Sequence, residues 1–385
     1  MYAEGITVNL FLITISVGFL AFILLRKLMP PHFLLIVILV KLIIPFVYFA
    51  WFFDGSWTFL DDITYYSTGK ALINAGYSPL TSEALAKQFM IAHSPQFLYF
   101  WFNHFTQYIF GPYYYSPVFG NVFLTFVAGY YLYKISLNCG FGKDYSLGLL
   151  GFFLLQWDVL AWSSFPNLKD ILALTITVAL FYYLLLVRKK ITWKNIFGVV
   201  LLMGLLSLIR FYLPLVVVLA LVLDYLVGNV KLSKITKYSM IFIVTAGAFL
   251  VWYQGYSIMR SSHQLSLNPL SCLQGTVKML LTPRPWAVSP DYSFLLIPSI
   301  INVIFLVPML IGARFLWRDS KDVRLLIIYF ILAIVLYGMS LDEVQGPRHR
   351  VQMLFVMVAM QYRFLWILLS PISQNISRIV CAPQK

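Results

Sequence analysis

Long apolar runs separated by short polar gaps occupy most of this chain. A hydrocarbon core of ~30 Å takes roughly 17–25 apolar residues per helix. By that measure the pattern predicts spans near 6–25, 32–52, 116–136, 145–162, 171–187, 195–209, 212–228, 238–254, 292–313, 325–341 and 351–369. The segment 195–228 is too long for one crossing, and Arg210 and Pro214 interrupt it. No fixed-period repeat, low-complexity tract or separate soluble domain stands out. The expectation is an all-α polytopic membrane protein, one transmembrane domain over 1–385, with about eleven crossings.

Two longer polar segments have structure of their own. In 53–115, the stretch DDITYYSTGKALINA (61–75) sets Ile63, Tyr66, Ala71 and Leu72 among polar residues and stops at Gly76. That spacing predicts a short interfacial helix with Asp61 or Asp62 as its N-cap. A second amphipathic helix is expected over 82–93, opening at Ser82 with Glu83 in its first turn. The aromatic run Phe97 to Tyr115 is then expected to lie along the membrane surface. The segment 255–291 is irregular.

Charge refines the picture. Only 11% of residues are Asp, Glu, Lys or Arg, so each one weighs. Basic clusters at Arg26-Lys27, Arg188-Lys189-Lys190, Lys231 to Lys237 and Arg314 to Arg324 fall in alternate gaps from Asp54, Asp61-Asp62, Asp170, Asp291 and Asp342-Glu343. Positive flanks mark the cytoplasmic side. The N-terminus is therefore expected outside and the C-terminus in the cytoplasm, with 53–115 and 255–291 as extracytoplasmic loops. Basic residues only after the first span, with Glu4 before it, argue against a cleavable signal peptide. The net charge of +14 is largely flank charge facing lipid headgroups and does not indicate nucleic-acid binding. Cys139, Cys272 and Cys381 form no disulfide framework, and no Cys/His cluster suggests zinc.

Chemistry is expected on the acidic side. Asp61-Asp62 follow a span and face the interface, where a raised pKa suits a general base; helix capping is the simpler account of the pair. In the turn Ser163 to Asp170, Pro166 ends one span, Asn167 can cap the next, and Asp170 suits a helix N-terminus. Lys169 breaks the charge sorting and invites an anionic partner. Arg210 sits at membrane depth, where a guanidinium pairs, snorkels or lines a wet cavity. Arg348 and Arg350, in Gln345-Gly346-Pro347-Arg348-His349-Arg350, either neutralise Asp342-Glu343 or present planar forks to phosphate. One converging anion site accounts for all four cations. His349, His104 and His93 are expected to be ordinary polar neighbours more often than catalytic. Arg284-Pro285-Trp286 and Asp291 suit sugar stacking and hydrogen bonding, and Arg363 snorkels or pairs within the bundle. Phosphate-binding glycine loops, HExxH and GxSxG elements are lacking at suitable positions.

Three elements resemble integral-membrane glycosyltransferases of the GT-C superfamily. They are Asp61-Asp62 with Tyr65-Tyr66 in the first large loop, the turn FPNLKD before the fifth span, and RHRVQMLF at 348–355. The last is similar to the start of a late span in bacterial members related to the protein O-mannosyltransferase and aminoarabinose transferase group. A proline that often follows the second arginine there is missing, as is the large C-terminal soluble domain of many relatives.

The resemblance implies sugar transfer from a polyprenyl-phosphate carrier to a glycan, lipid or protein acceptor on the extracytoplasmic face of a bacterial inner membrane. It implies Asp61 or Asp62 as base and Asp170 as a second acid. It places Lys169, Arg210, Arg348 and Arg350 on the donor phosphate, with Tyr65, His349, Arg284 and Trp286 as further substrate contacts. A divalent metal is allowed, with Asp170 orienting either the acceptor or that metal. The rival readings are a polymerase or ligase using polyprenyl-pyrophosphate glycans, which relies less on a first-loop acid, and a lipid-linked sugar flippase or transporter.

Overall fold

The computed structural model describes residues 7–92, 96–227, 268–339 and 346–380, and every described regular element is helical. Helix α1 (Val8–Leu25) starts where the Thr7 hydroxyl accepts the Leu10 N–H at 3.1 Å. Its buried residues, Leu10, Ile13, Val17, Ala21 and Leu25, form one stripe at helical spacing, while Phe11, Leu12, Ile15 and Phe19 are exposed. A helix apolar all round but packed on one stripe needs an apolar solvent for the rest of its surface. Helix α2 (Pro31–Val47) takes Pro31 into its first turn and runs past Pro45 into a wider π turn over Tyr48–Phe52. Pro45 lacks the N–H that would pair with the Lys41 carbonyl, one turn before that π segment.

Three shorter helices follow: α3 (Leu60–Asn74), α4 (Ser82–Ala92) and α5 (Phe97–Phe110). Gly76, at φ 79°, ends the α3 region in a left-handed conformation that favours glycine. The sequence placed both α3 and α4 within a residue or two. The aromatic run differs. Helix α5 buries Tyr99, Asn103 and His104 completely, because Tyr65 packs edge-on against Tyr99 and Phe100 at ring distances of 4.9 Å. His104 holds α5 to the α3–α4 segment through Gln88 (2.6 Å) and the Tyr77 carbonyl (3.0 Å), and burial lowers its pKa. His93 lies outside the described residues.

Next come α6 (Tyr115–Asn138), the bent pair α7 (Lys143–Leu155) and α8 (Trp157–Ser164), and α9 (Asp170–Lys189). Helix α9 is buried nearly all round, between α6, α10 (Trp193–Ser207) and the start of the last helix. After α11 (Leu213–Val227) the description resumes with α12 (Pro269–Leu281), the bent pair α13 (Leu296–Ile304) and α14 (Leu306–Asp319), and α15 (Lys321–Gly338). A short helix α16 (Pro347–Arg350) leads through a 3₁₀ turn into α17 (Leu354–Val380).

Five described stretches are long and apolar enough to cross a membrane, and seven are if each bent pair counts as one span. The bends are 46° between α7 and α8 and 57° between α13 and α14. Arg210 does divide 195–228 into two helices, each of 15 residues and so ~22 Å long, short of a full hydrocarbon core. Helix α15 carries Lys321, Asp322 and Arg324 in its opening turns. The span expected over 238–254 lies outside the described residues.

Candidate active site

Asp170 is the first residue of α9, where the exposed N–H groups of the helix end favour negative charge. Its carboxylate is buried and takes donors on both oxygens. Arg210 Nη2 (2.7 Å) and Gln352 Nε2 (3.1 Å) reach Oδ1, and Arg348 Nε (2.8 Å) reaches Oδ2. Arg210 comes from the turn between α10 and α11, and Arg348 from α16. Arg348 then bridges outward, with Nη2 lying 2.8 Å from Asp61 Oδ2 on α3. Four of the residues singled out in the sequence, Asp61, Asp170, Arg210 and Arg348, thus meet in one ion-paired chain.

Lys169 is the fifth. It is only 3% exposed, and its Nζ lies 5.8 Å from the centre of the Tyr65 ring. Among the described residues no hydrogen bond or ion pair reaches its ammonium. Burial drives its pKa well below the ordinary lysine value, Arg210 and Arg348 push the same way, and Asp170 and Asp61 oppose them. Tyr65, whose hydroxyl donates to Gln96 Oε1 at 2.5 Å, is held above its ordinary value by burial.

The two adjacent acids have separate surroundings. Asp61 is 44% exposed and faces Arg348. Asp62 is fully buried: Oδ1 accepts the Phe59 N–H at 2.7 Å and Oδ2 accepts the Tyr114 hydroxyl at 2.7 Å. Neither is the N-cap expected of them. Phe59 holds that position, and Asp62 satisfies its free N–H from the third helical position. Burial pushes the Asp62 carboxyl up to about 7 despite these two donors. Asn167 is not a cap either. Its amide joins Tyr99 (2.7 Å) and Asn103 (2.6 Å) in a buried network behind Asp62.

The remaining candidates lie apart or at the edge. Arg350 points to a second buried cluster, donating to the carbonyls of Leu280 (2.9 Å) and Thr282 (2.8 Å) and to Asp158 (3.3 Å). Asn302 donates to Asp158 at 2.7 Å and accepts the Trp157 N–H at 2.8 Å. The structure therefore splits the two arginines of the RHR segment and does not bring Arg350 to Asp170. His349 packs 5.0 Å from the Tyr337 ring, beside the chain of ion pairs. Arg284 and Trp286 line a 440 Å³ cavity with Leu273, Val277, Lys278 and Thr282, and no described contact joins them to Asp61 or Asp170. Asp342 and Glu343 lie outside the described residues.

Sequence reasoning passed over Gln352, Tyr337 and Tyr212, which extend the site by hydrogen bonds of 2.8 Å (Tyr337 to Gln352) and 2.5 Å (Tyr212 with Tyr337). Gln352 follows Arg348 by four residues, a spacing that puts both on one helical face. Asp158 and Lys41 were also readable, as charges inside predicted spans. Lys41 is buried and donates to the Leu154 carbonyl, at the break between α7 and α8, at 3.3 Å.

Among the described residues no group of three or more His, Cys, Asp or Glu side chains is placed to hold a metal ion. Asp61 and Asp170 contact the Arg348 guanidinium at Nη2 and Nε, so a cation already bridges the two carboxylates. This donor set does not fit a divalent metal. No family model, curated protein or solved structure matches this chain.

Proposed function

We propose that this protein is an integral-membrane glycosyltransferase of the GT-C kind, moving a sugar from a polyprenyl-phosphate carrier to an acceptor hydroxyl with inversion. One observation carries the reading: Asp61, Asp170, Arg210 and Arg348, drawn from four separate segments, form a single ion-paired chain with the buried Lys169 beside it. Cations gathered with a partly exposed carboxylate suit a reaction in which a phosphate leaves and a hydroxyl loses its proton.

In this reading the donor phosphate binds Arg210, Arg348 and Lys169. It competes with Asp61 for Arg348, and so frees Asp61 to accept the acceptor proton. The hydroxyl oxygen bonds to the anomeric carbon as the bond from that carbon to the phosphate oxygen breaks, and its electron pair stays on the phosphate. The arginines stabilise that charge. Asp170, with both oxygens engaged, orients them. Asp61 is the base and Asp62 supports the helix that carries it, since only Asp61 is open to an acceptor.

The topology proposed is eleven crossings with the N-terminus outside and the site on the extracytoplasmic face of a bacterial inner membrane. Helix α9 supports this orientation. Asp170 begins it, Arg188 and Lys189 end it, and its 20 residues put ~30 Å between them.

The test is acceptor-dependent release of polyprenyl phosphate by nanodisc-reconstituted protein, over a panel of polyprenyl-phosphate sugars. Asp61→Asn is expected to lower the rate ~10²–10⁴-fold, the usual contribution of a positioned base. Full activity in an Asp61→Asn, Asp62→Asn double variant would sink the assignment and favour a polymerase, assayed with pyrophosphate-linked glycans.

A further inference from the structure

The charges around Lys169 do not balance. Arg210 and Arg348 are matched by Asp61 and Asp170, which leaves Lys169 as an extra cation with no counter-ion among the described residues. It is buried, with its Nζ 5.8 Å from the centre of the Tyr65 ring. The groups acting on it are Asp170 on its own helix, Asp61 and Tyr65 on α3, Arg210 from the α10–α11 turn, and Arg348 on α16. His349, also on α16, is coupled electrostatically to the lysine. Two of these are fixed cations, and the N-terminal end of α9 adds positive potential. A buried ammonium whose neighbouring carboxylates are already engaged by arginines gives up its proton rather than its hydration.

We propose that Lys169 is a proton-coupled anion latch: an uncharged amine that takes up a proton from solvent as a phosphodiester anion reaches Arg210 and Arg348. With the amine neutral, the two arginines and two aspartates sum to zero. One arriving negative charge leaves the cluster at −1, and one proton on Lys169 restores neutrality while adding a donor to the phosphate. The balance is one anion and one proton in, with no bond broken other than that to the proton's water or buffer carrier. The inference rests on the anion-binding reading of the site and adds to it a proton stoichiometry and a pH dependence. Binding takes up protons in the interval between the lysine's free and bound values. Affinity falls with rising pH through that interval, by up to about tenfold per pH unit.

The experiment is titration calorimetry on the nanodisc-reconstituted full chain with a C20 isoprenyl methyl phosphodiester, whose single charge does not titrate near neutrality. Buffers of different ionisation enthalpy, between about pH 6.5 and 9, report the protons taken up. Wild type is expected to take up between about half and one proton per diester bound. Lys169→Met and Lys169→Arg are expected to bind without uptake, the arginine variant with a flat pH profile. His349→Gln and Asp62→Asn are expected to keep the uptake. Diester binding by wild type with no uptake would overturn the latch and leave the anion site standing. Uptake that survives in Lys169→Met but disappears in either control variant would also overturn it. Absence of diester binding at every pH would overturn the anion site and the latch together.

Discussion

Asp61 and Asp62 are chemically identical neighbours with different surroundings, because successive positions on a helix point ~100° apart. Asp61 turns to Arg348 and solvent, while Asp62 turns into the wall made by Phe59 and Tyr114. Burial holds Asp62 protonated to about pH 7, whereas in the unfolded chain it ionises near 3.8. Between those values the folded state binds more protons than the unfolded state, so stability falls as pH rises through the window and levels off above it. The loss is on the order of a few kcal/mol. Thermal melting in detergent is therefore expected to drop between pH 5 and 8 in wild type, and Asp62→Asn is expected to flatten that drop. An unchanged slope in the variant would assign the effect to another group. The acidic pair was visible in the sequence, but the split in roles was not, since it depends on Tyr114, 52 residues away.

At the scale of elements, the helices in the first loop were legible because their signals are local: an apolar stripe, an acidic first turn and a terminal glycine. The burial of one face of the aromatic run 97–115 was not legible, because its partners are not local. Tyr65 and Asn167 draw it into the protein, and nothing in its own composition distinguishes that from the membrane surface. Close helix contacts were equally hidden. A Cβ on Gly312 of α14 would lie 1.8 Å from the Met360 carbonyl oxygen on α17, a contact with rigid backbone. Gly312→Ala is expected to destabilise the protein by roughly 1–3 kcal/mol through overpacking. A melting temperature within a degree of wild type would show that these helices can separate freely.

At the scale of the molecule, the split of Arg348 and Arg350 ties the candidate site to its scaffold. While Arg348 joins α16 to α3 and α9, Arg350 fixes α16 to the end of α12 through two carbonyls and to α8 through Asp158. Removing one partner of a buried ion pair costs about 3–5 kcal/mol, because the other charge is left unpaired. Arg350→Met is expected to lose stability on that scale, and adding Asp158→Asn is expected to recover part of it. The four melting curves of this double-mutant cycle measure the coupling, and strictly additive losses would mean that Asp158 and Arg350 do not stabilise each other. Sequence reasoning placed Arg350 on the donor phosphate. Two arginines so close in a motif offered no way to tell ligand contact from scaffold contact.

Length and hydropathy of the apolar runs determined by themselves that this is a helical protein with several stretches apolar enough to cross a membrane, because a helix in hydrocarbon satisfies its own backbone and needs only apolar side chains to stay there. The sparse charges marked segments that the fold joins by ion pairs, since an ionisable group in an apolar setting is costly without a partner. Which charge meets which was decided by tertiary structure alone. Asp170 and Arg348 are 178 residues apart, and their pairing depends on how α9 and α16 pack, which no local pattern encodes. The same packing buries Lys169 without an ion-pair partner among the described residues and separates Arg350 from Arg348, because burial and distance are properties of the assembled helices rather than of any one of them.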